Sequence, residues 1–300
     1  MQKLIVILGP TSSGKTLLSI KLAKKFNGEI ISADSRQVYK GMNIGSGKVT
    51  KNEMQGIPHY LLDVANPKRK FTVSQYQKLA KDAIKKIHKK GKIPFLVGGS
   101  GFYIQSIVND IIIPEVKPDW KLRKKLEKKS NRELHKILFK IDPTRAKTID
   151  KNNPRRLIRA LEIVLKTGTA VPVLSHVEGQ KFDVLEIGIT KNKDELKKLI
   201  NKRLLKRLNP PTGGGIISEV KKLKTSGLSF KRLEEFGLEY RFIAQYLQNK
   251  ITYQEMIDKI QKESEHFAKR QMTWFKRDKR IQWVKNYKES EALVKSFLRS

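Results

Sequence analysis

The chain has 300 residues, enough for one large domain or two moderate ones with a sizeable core. Its formal charge of +35, from 64 Lys and Arg against 29 Asp and Glu, favours polyanionic partners unless the lysine runs are only solvated helix faces. The absence of cysteine excludes disulfides and thiolate metal sites, and no apolar run approaches the length of a membrane span, so a cytoplasmic enzyme is the default.

The first residues enter a strand pattern directly, and no signal peptide is expected. Leu4 to Leu8 is a short apolar run of the kind that forms a buried strand. Gly9-Pro10-Thr11-Ser12-Ser13-Gly14-Lys15-Thr16 follows, and then Leu18, Leu22, Ala23 and Phe26 recur at helical spacing. Strand, Gly-x-x-x-x-Gly-Lys-Thr and helix together are the context of a P-loop. Gly9 and Gly14 let the backbone turn its N–H groups inward, and the helix adds the positive end of its dipole. Lys15 brings a cation to the outer phosphate, and the Thr16 hydroxyl is placed to ligate Mg²⁺. The pattern specifies a polyphosphate site and leaves open whether a nucleotide or another diphosphate fills it.

Glu29 to Ala33 is a second predicted strand, ending at Asp34. Strand C-termini of a parallel sheet open on one side, so Asp34 is expected beside the phosphates. There it can assist Mg²⁺ through water or accept a proton, with helix capping as the structural alternative. Gly41 to Lys48 reads as a loop and Pro58 to Asp63 as a strand, in which the lone His59 suits a structural role. Thr72-x-x-Gln75 is a capping box for a helix to Lys90 with Tyr76, Leu79, Ala80, Ala83, Ile84 and Ile87 inward, ended by Gly91.

Ile93 to Val97 is another buried strand, leading through Gly98-Gly99-Ser100-Gly101 into a helix. ATP-using P-loop enzymes commonly end such a strand in an Asp that orders Mg²⁺. Here the glycines offer a close backbone approach, and Ser100 offers a hydroxyl that either touches substrate or caps the helix.

From Pro114 to about Lys181 the pattern is helical. Ser130-x-x-Glu133 caps one helix, and Asn153-Pro154 starts another that ends at Gly168 and buries Leu157, Leu161, Val164 and Leu165. Arg155, Arg156 and Arg159 crowd its N-terminus, where cations oppose the dipole by roughly 0.3–1 kcal/mol each. That arrangement suggests an external anion such as RNA phosphate, although Arg159 can instead pair with Glu162. Phe182 to Ile189 is strand-like again, so the sheet resumes and the helical stretch reads as an insertion.

Helices then dominate, with a break at Asn209 to Gly215. Thr252-x-x-Glu255 caps a long helix running into Lys269-Arg270-Gln271-Met272-Thr273-Trp274-Phe275-Lys276-Arg277. Basic and aromatic residues interleave there, as a single-stranded RNA surface requires, or else Trp274 and Phe275 belong to the core. No internal repeat or low-complexity linker is present. The expected fold is α/β, a P-loop parallel sheet flanked by helices. Residues 1–115 form the first part of the core, 116–181 an all-helical insertion, and 182–300 the core completion and a helical C-terminal part.

Five stretches in this order resemble the tRNA dimethylallyltransferase family. They are Gly9 to Thr16, Ile31 to Tyr39, Val97 to Tyr103, Asn153 to Glu162 and Ala268 to Phe275. The resemblance implies transfer of a dimethylallyl group from dimethylallyl diphosphate to the adenosine 3′ of the anticodon, with Mg²⁺ as cofactor. It implies that Gly9, Thr11, Ser12, Ser13, Gly14, Lys15 and Thr16 hold the diphosphate. Asp34 would be the base at the adenine amine, with Lys15, Ser100 and Arg123 as the other reactive-site groups. Ser35, Arg36, Gln37, Arg155, Arg156, Leu157, Ile158, Arg159, Arg270 and Trp274 would join Asp34, Ser100 and Arg123 in meeting a tRNA anticodon loop. Arg203 matches the family's Arg-rich helix, but Leu204-Leu205 stands where the family carries Val-Asp, so Arg203 receives no role. A monomer is expected. The competing readings are a P-loop kinase for a nucleoside or other metabolite, a prenyltransferase for free adenine nucleotides, and a non-catalytic RNA-binding protein.

Overall fold

A computed structural model describes residues 1–114, 116–171, 182–209 and 214–300. In chain order the elements begin with β1 (Gln2–Leu8), α1 (Lys15–Lys25), β2 (Gly28–Ala33), α2 (Lys51–Met54), β3 (His59–Tyr60), α3 (Val73–Lys89), β4 (Ile93–Gly98) and α4 (Gly101–Val108). The helices α5 (Trp120–Leu126), α6 (Asn131–Ile141), α7 (Pro143–Thr148) and α8 (Pro154–Thr167) follow. The chain continues through β5 (Phe182–Ile189), α9 (Lys193–Leu208), α10 (Gly215–Thr225), α11 (Phe230–Glu235) and α12 (Leu238–Tyr246). It ends with α13 (Tyr253–Phe275), β6 (Gln282–Val284) and α14 (Tyr287–Arg299). The described residues fall into two compact units, one within 1–108 and 180–300 and the other within 109–179.

The first unit is built on a six-stranded parallel sheet of order β3-β2-β4-β1-β5-β6. Its centre is β1, whose Leu4 to Leu8 are almost wholly buried because helices cover both faces. Side-chain alternation divides that strand: Leu4, Val6 and Leu8 enter the core with α3, α4 and α10 to α13, while Ile5 and Ile7 face α1 and α14. Register aligns Leu8 with Gly98 and Gly188, and Ala33 with Gly98. The chain therefore leaves β1, β2, β4 and β5 at one edge of the sheet, at Gly9, Asp34, Gly99 and Thr190.

The second unit packs α5 to α8 around Leu126, Leu134, Leu138, Leu157, Leu161 and Val164. All three capping boxes anticipated in the two units form: Thr72, Ser130 and Thr252 accept from the Gln75, Glu133 and Glu255 N–H groups.

Some expectations need correction. The strand after Pro58 is confined to His59 and Tyr60, because Leu61 and Asp63 adopt positive φ of 64° and 57° and turn the chain away. Leu79 and Leu165 are exposed at the margins of their helices rather than inward. The three-residue β6 lies where helix alone was expected. Residues 210–213 of the Asn209 to Gly215 break, and 172–181 of the helical stretch, lie outside the described residues.

Candidate active site

The turn after β1 is shaped by backbone conformations that glycine supplies. Gly9 has φ 148° and a Cβ there would lie 2.3 Å from the Ile189 carbonyl oxygen, so only glycine lets the loop pass β5. Gly14, at φ 93°, opens α1, whose first turn carries no acidic residue to compete for its free N–H groups. Ser13 is buried and Thr16 exposed. The Lys15 ammonium donates to the Pro10 carbonyl at 2.5 Å and reaches the Ser13 hydroxyl at 3.5 Å. Burial of that ammonium, with the Arg203 guanidinium nearby, lowers its pKa to about 7 against the opposing pull of Asp34.

Arg203 is the second cation of the site, and the sequence left it without a role. Its Nη2 donates to the Gly47 carbonyl at 3.2 Å, beside Arg207, which donates to Gly45 O at 3.2 Å and to Glu239 Oε1 at 2.9 Å. A Cβ on Gly47 would lie 1.9 Å from one guanidinium and 2.1 Å from the other, and its φ is 59°. Burial first, and Arg207 second, bring the Arg203 pKa down to about 10. Among the described residues no carboxylate lies within ion-pairing distance of Lys15 or Arg203. Two cations are thus held in a partly dry place without a paired anion.

The Gly45 to Gly47 loop is itself pinned by Glu219. Its buried carboxylate accepts from the Asn43, Ile44 and Gly45 N–H groups at 2.7, 2.6 and 3.0 Å, and from the Tyr240 hydroxyl at 2.8 Å.

Asp34 follows β2, with one oxygen committed. Oδ1 accepts from the N–H groups of Arg36 (2.8 Å) and Gln37 (3.3 Å), while Oδ2 has no hydrogen bond among the described residues. The capping role and the proton-accepting role can therefore belong to different oxygens of one side chain. The Ser35 N–H donates to the Ser100 hydroxyl at 3.0 Å, and the Ser100 N–H donates to Ala33 O at 3.1 Å, so the ends of β2 and β4 are stitched together. Arg36 and Gln37 have their side chains engaged, by Phe236 O at 2.7 Å and by Gly47 O at 3.3 Å.

The glycines after β4 answer to other parts of the protein. A Cβ on Gly98 would strike Ala33 O at 2.1 Å, one on Gly99 the Gln271 amide at 2.2 Å, and one on Gly101 the Trp274 indole at 2.3 Å. What approaches this turn is α13. Gln271, missed in the sequence, accepts from the Thr11 N–H at 2.8 Å and donates to Gly99 O at 2.8 Å. The Thr11 N–H is thus engaged within the protein. Phe275 is core, and Trp274 is half-buried against that core, its buried indole N–H without a hydrogen-bond partner among the described residues. Arg270 is exposed, 3.8 Å from Glu263. His59 bonds to the Ile57 carbonyl, the structural role.

Arg123 and the arginines of α8 belong to the helical unit. Glu162 is fully buried there, takes Arg123 Nε and Nη2 at 2.8 and 2.7 Å, and takes Arg159 Nη1 at 2.5 Å and the Asp119 N–H at 2.6 Å. Burial pushes the carboxyl pKa up, but these donors outweigh it and hold it at about 2. Arg159 also donates to Val116 O and Pro114 O. Leu157, as expected, and Ile158 have their side chains in the core of the helical unit. Arg155 and Arg156 remain exposed, with no acidic partner among the described residues.

Fold and site together define a P-loop α/β enzyme with two cations, Lys15 and Arg203, that lack a paired carboxylate among the described residues, near an Asp34 with only one oxygen committed. The chain belongs to the IPP transferase family, whose profile matches residues 37–278. It is 43% identical over 298 residues to the tRNA dimethylallyltransferase of Carboxydothermus hydrogenoformans, covering 96% of this chain and 94% of that one. Among solved structures it is similar to the full-length tRNA isopentenylpyrophosphate transferase of Bacillus halodurans, with a TM-score of 0.72 and 36% identity over 100% of this chain and 96% of that one. It is also similar to a eukaryotic dimethylallyltransferase acting on tRNA, with a TM-score of 0.77 and 29% identity over 91% and 70% of the two chains.

Proposed function

We propose that this protein transfers a dimethylallyl group from dimethylallyl diphosphate to the exocyclic amine of the adenosine 3′ of the anticodon in tRNA, releasing diphosphate. The observation that carries the reading is the placement of Lys15 and Arg203, cations without an acidic partner, near an Asp34 whose Oδ2 is unbonded. As the amine nitrogen bonds to the allylic carbon, the carbon–oxygen bond breaks and its electron pair passes to the diphosphate. Loop N–H groups, Lys15 and Arg203 stabilise the charge where it develops. The amine becomes acidic as it attacks, and Asp34 Oδ2 takes its proton, a contribution of about 10²–10⁴ in rate. An anticodon loop supplies an adenine that is already unpaired, which lowers the cost of extracting it from its stack.

Mg²⁺ fits the donor set. Among the described residues no group of three or more His, Cys, Asp or Glu could cage a metal, whereas Mg²⁺ binds through one or two protein oxygens and substrate phosphates. The exposed Thr16 hydroxyl would hold it, and the ion would neutralise charge on the diphosphate. The protein is proposed to act as a monomer. Among the described residues no helix is long and apolar enough to cross a membrane, and tRNA as substrate supports a cytoplasmic setting.

A kinase reading leaves the Gly98-Gly99-Ser100 strand end without its Asp, and nothing here favours it. Mass spectrometry of tRNA after incubation with protein, Mg²⁺ and dimethylallyl diphosphate should show one added dimethylallyl group per anticodon loop. Unmodified tRNA together with phosphoryl transfer from ATP would overturn the proposal.

A further inference from the structure

Helix α13 is remote in sequence from the phosphate loop, yet its buried Gln271 occupies both of that loop's flanks. Its carbonyl oxygen receives the Thr11 N–H and its amide nitrogen donates to Gly99 O, each at 2.8 Å. One residue beyond Gly99, the Ser100 hydroxyl receives the Ser35 N–H at 3.0 Å, next to Asp34. Hydrogen bonds thus run from the loop that holds the leaving group, through Gln271 and the turn after β4, to the residue beside the base. Trp274, one helical turn beyond Gln271 on the same face, seats against Gly101 and sets the distance of α13 from the turn.

We propose that Gln271 is a positioning residue for the transfer reaction, holding the phosphate loop and the β2 and β4 strand ends in one geometry. The proposal rests on diphosphate binding at that loop, as the function above requires. The amide is suited to this task because it accepts on one side and donates on the other. An apolar side chain here leaves a half-buried N–H and a half-buried carbonyl without their partner, and the loop relaxes to find others. The Thr11 N–H is then free to turn toward the ligand space and disturb the other loop donors. RNA contacts are not part of this chain of bonds.

The test compares wild type with Gln271→Met, which keeps the volume, and Gln271→Ala. Three quantities are read: Kd for inorganic diphosphate without RNA, kcat, and KM for tRNA. Because a displacement of about 1 Å can cost up to ~10²-fold, the expectation is a diphosphate Kd raised about tenfold and kcat reduced at least about tenfold, with KM for tRNA within about threefold. Gly99→Ala attacks the same contact from the other side, since its Cβ would lie 2.2 Å from Gln271 Nε2. It should reproduce the signature alone but add little in the Gln271→Ala background, where the obstructing amide is gone.

Diphosphate affinity and kcat near wild type in both Gln271 variants would overturn the assignment, as would equal losses for tRNA and diphosphate or additive losses in the double variant. If wild type itself binds no diphosphate, the function fails and the assignment with it. Intact wild-type binding with an indifferent Gln271→Met overturns the assignment alone.

Discussion

Lys15 gives the most direct test of how the site treats charge. Burial and the neighbouring Arg203 leave its ammonium with a pKa of about 7, against an ordinary 10.5. At pH 8, one unit above that value, roughly nine in ten Lys15 amines are neutral in the free protein. A bound diphosphate favours the charged form, so binding draws in a proton: about 0.9 per site at pH 8. By linkage, diphosphate affinity should weaken close to tenfold per pH unit above about 7, until the pKa of the bound state is reached. Calorimetry with inorganic diphosphate at pH 8, in two buffers of different ionisation heat, counts the protons. Lys15→Arg keeps a cation that does not titrate in this range, and the ligand's own titration cancels between the two proteins. Wild type should take up about 0.9 proton more than Lys15→Arg, given that one-unit gap. Equal proton counts would refute the argument. In the free protein the same shift makes the unfolded chain the stronger proton binder between about pH 7 and the ordinary Lys value. Stability from this group therefore rises with pH across that window, and charging Lys15 below it is unfavourable.

Asp34→Asn should cost about 10²–10⁴ in single-turnover rate. Its amide oxygen can still accept from Arg36 and Gln37, so tRNA affinity by filter binding should hold within about threefold, because the cap survives; equal losses would make Asp34 an RNA-positioning residue. Replacing Arg155 and Arg156 together by Ala should reduce the slope of log Kd for tRNA against log salt by about 1.5, at roughly 0.7–0.9 per phosphate contact. An unchanged slope removes the start of α8 from the interface. Arg123→Ala should destabilise the helical unit by about 3 kcal/mol, because it strips a buried carboxylate of its bidentate partner. The Glu162 network contributes fully above the ordinary Glu range and is lost as pH falls toward about 2. Hydrogen exchange of α5 to α8 should show that acid opening moved to higher pH in Arg123→Ala; an unmoved transition would mean the pair is not what holds this unit.

Much of the frame was legible because local chemistry dictates it. Leu4 to Leu8 and Ile93 to Val97 have no polar face and so read as buried parallel strands. Thr72, Ser130 and Thr252 announce their helices three residues before the Gln or Glu that answers them. The phosphate loop carries its strand and helix beside it. What escaped depends on residues far apart in the chain: Gln271 is 260 positions from Thr11, and Glu219 is 176 from Asn43. Spacing carries no information about such pairs. The glycines at 99 and 101 show a related limit. A need for small residues was visible, but the approaching groups are Gln271 and Trp274, not only a ligand. At α8 the sequence showed three arginines at an unfavourable helix end and offered Glu162 as a partner for Arg159, the pairing that forms, but gave no sign that Arg123 shares that buried carboxylate.

The distribution of charge gives these observations a common cause. Elsewhere the protein pairs its buried or half-buried arginines with carboxylates, as at Arg207 with Glu239 and Arg123 with Glu162. At Lys15 and Arg203 it does not. Neither has a carboxylate partner among the described residues, and the Lys15 pKa falls because its ammonium is buried, with Arg203 lowering it further. Such a site is unfavourable until an anion arrives, and is relieved more the more negative charge that anion carries. The departing diphosphate is more negative than the esterified one, so the same unpaired cations bind the transition state better than the substrate. Supplying carboxylates to neutralise them would stabilise the free protein and remove that difference. Asp34 offsets the cations only in part: one oxygen is placed on backbone N–H groups, and under the proposed function the other is kept for the proton.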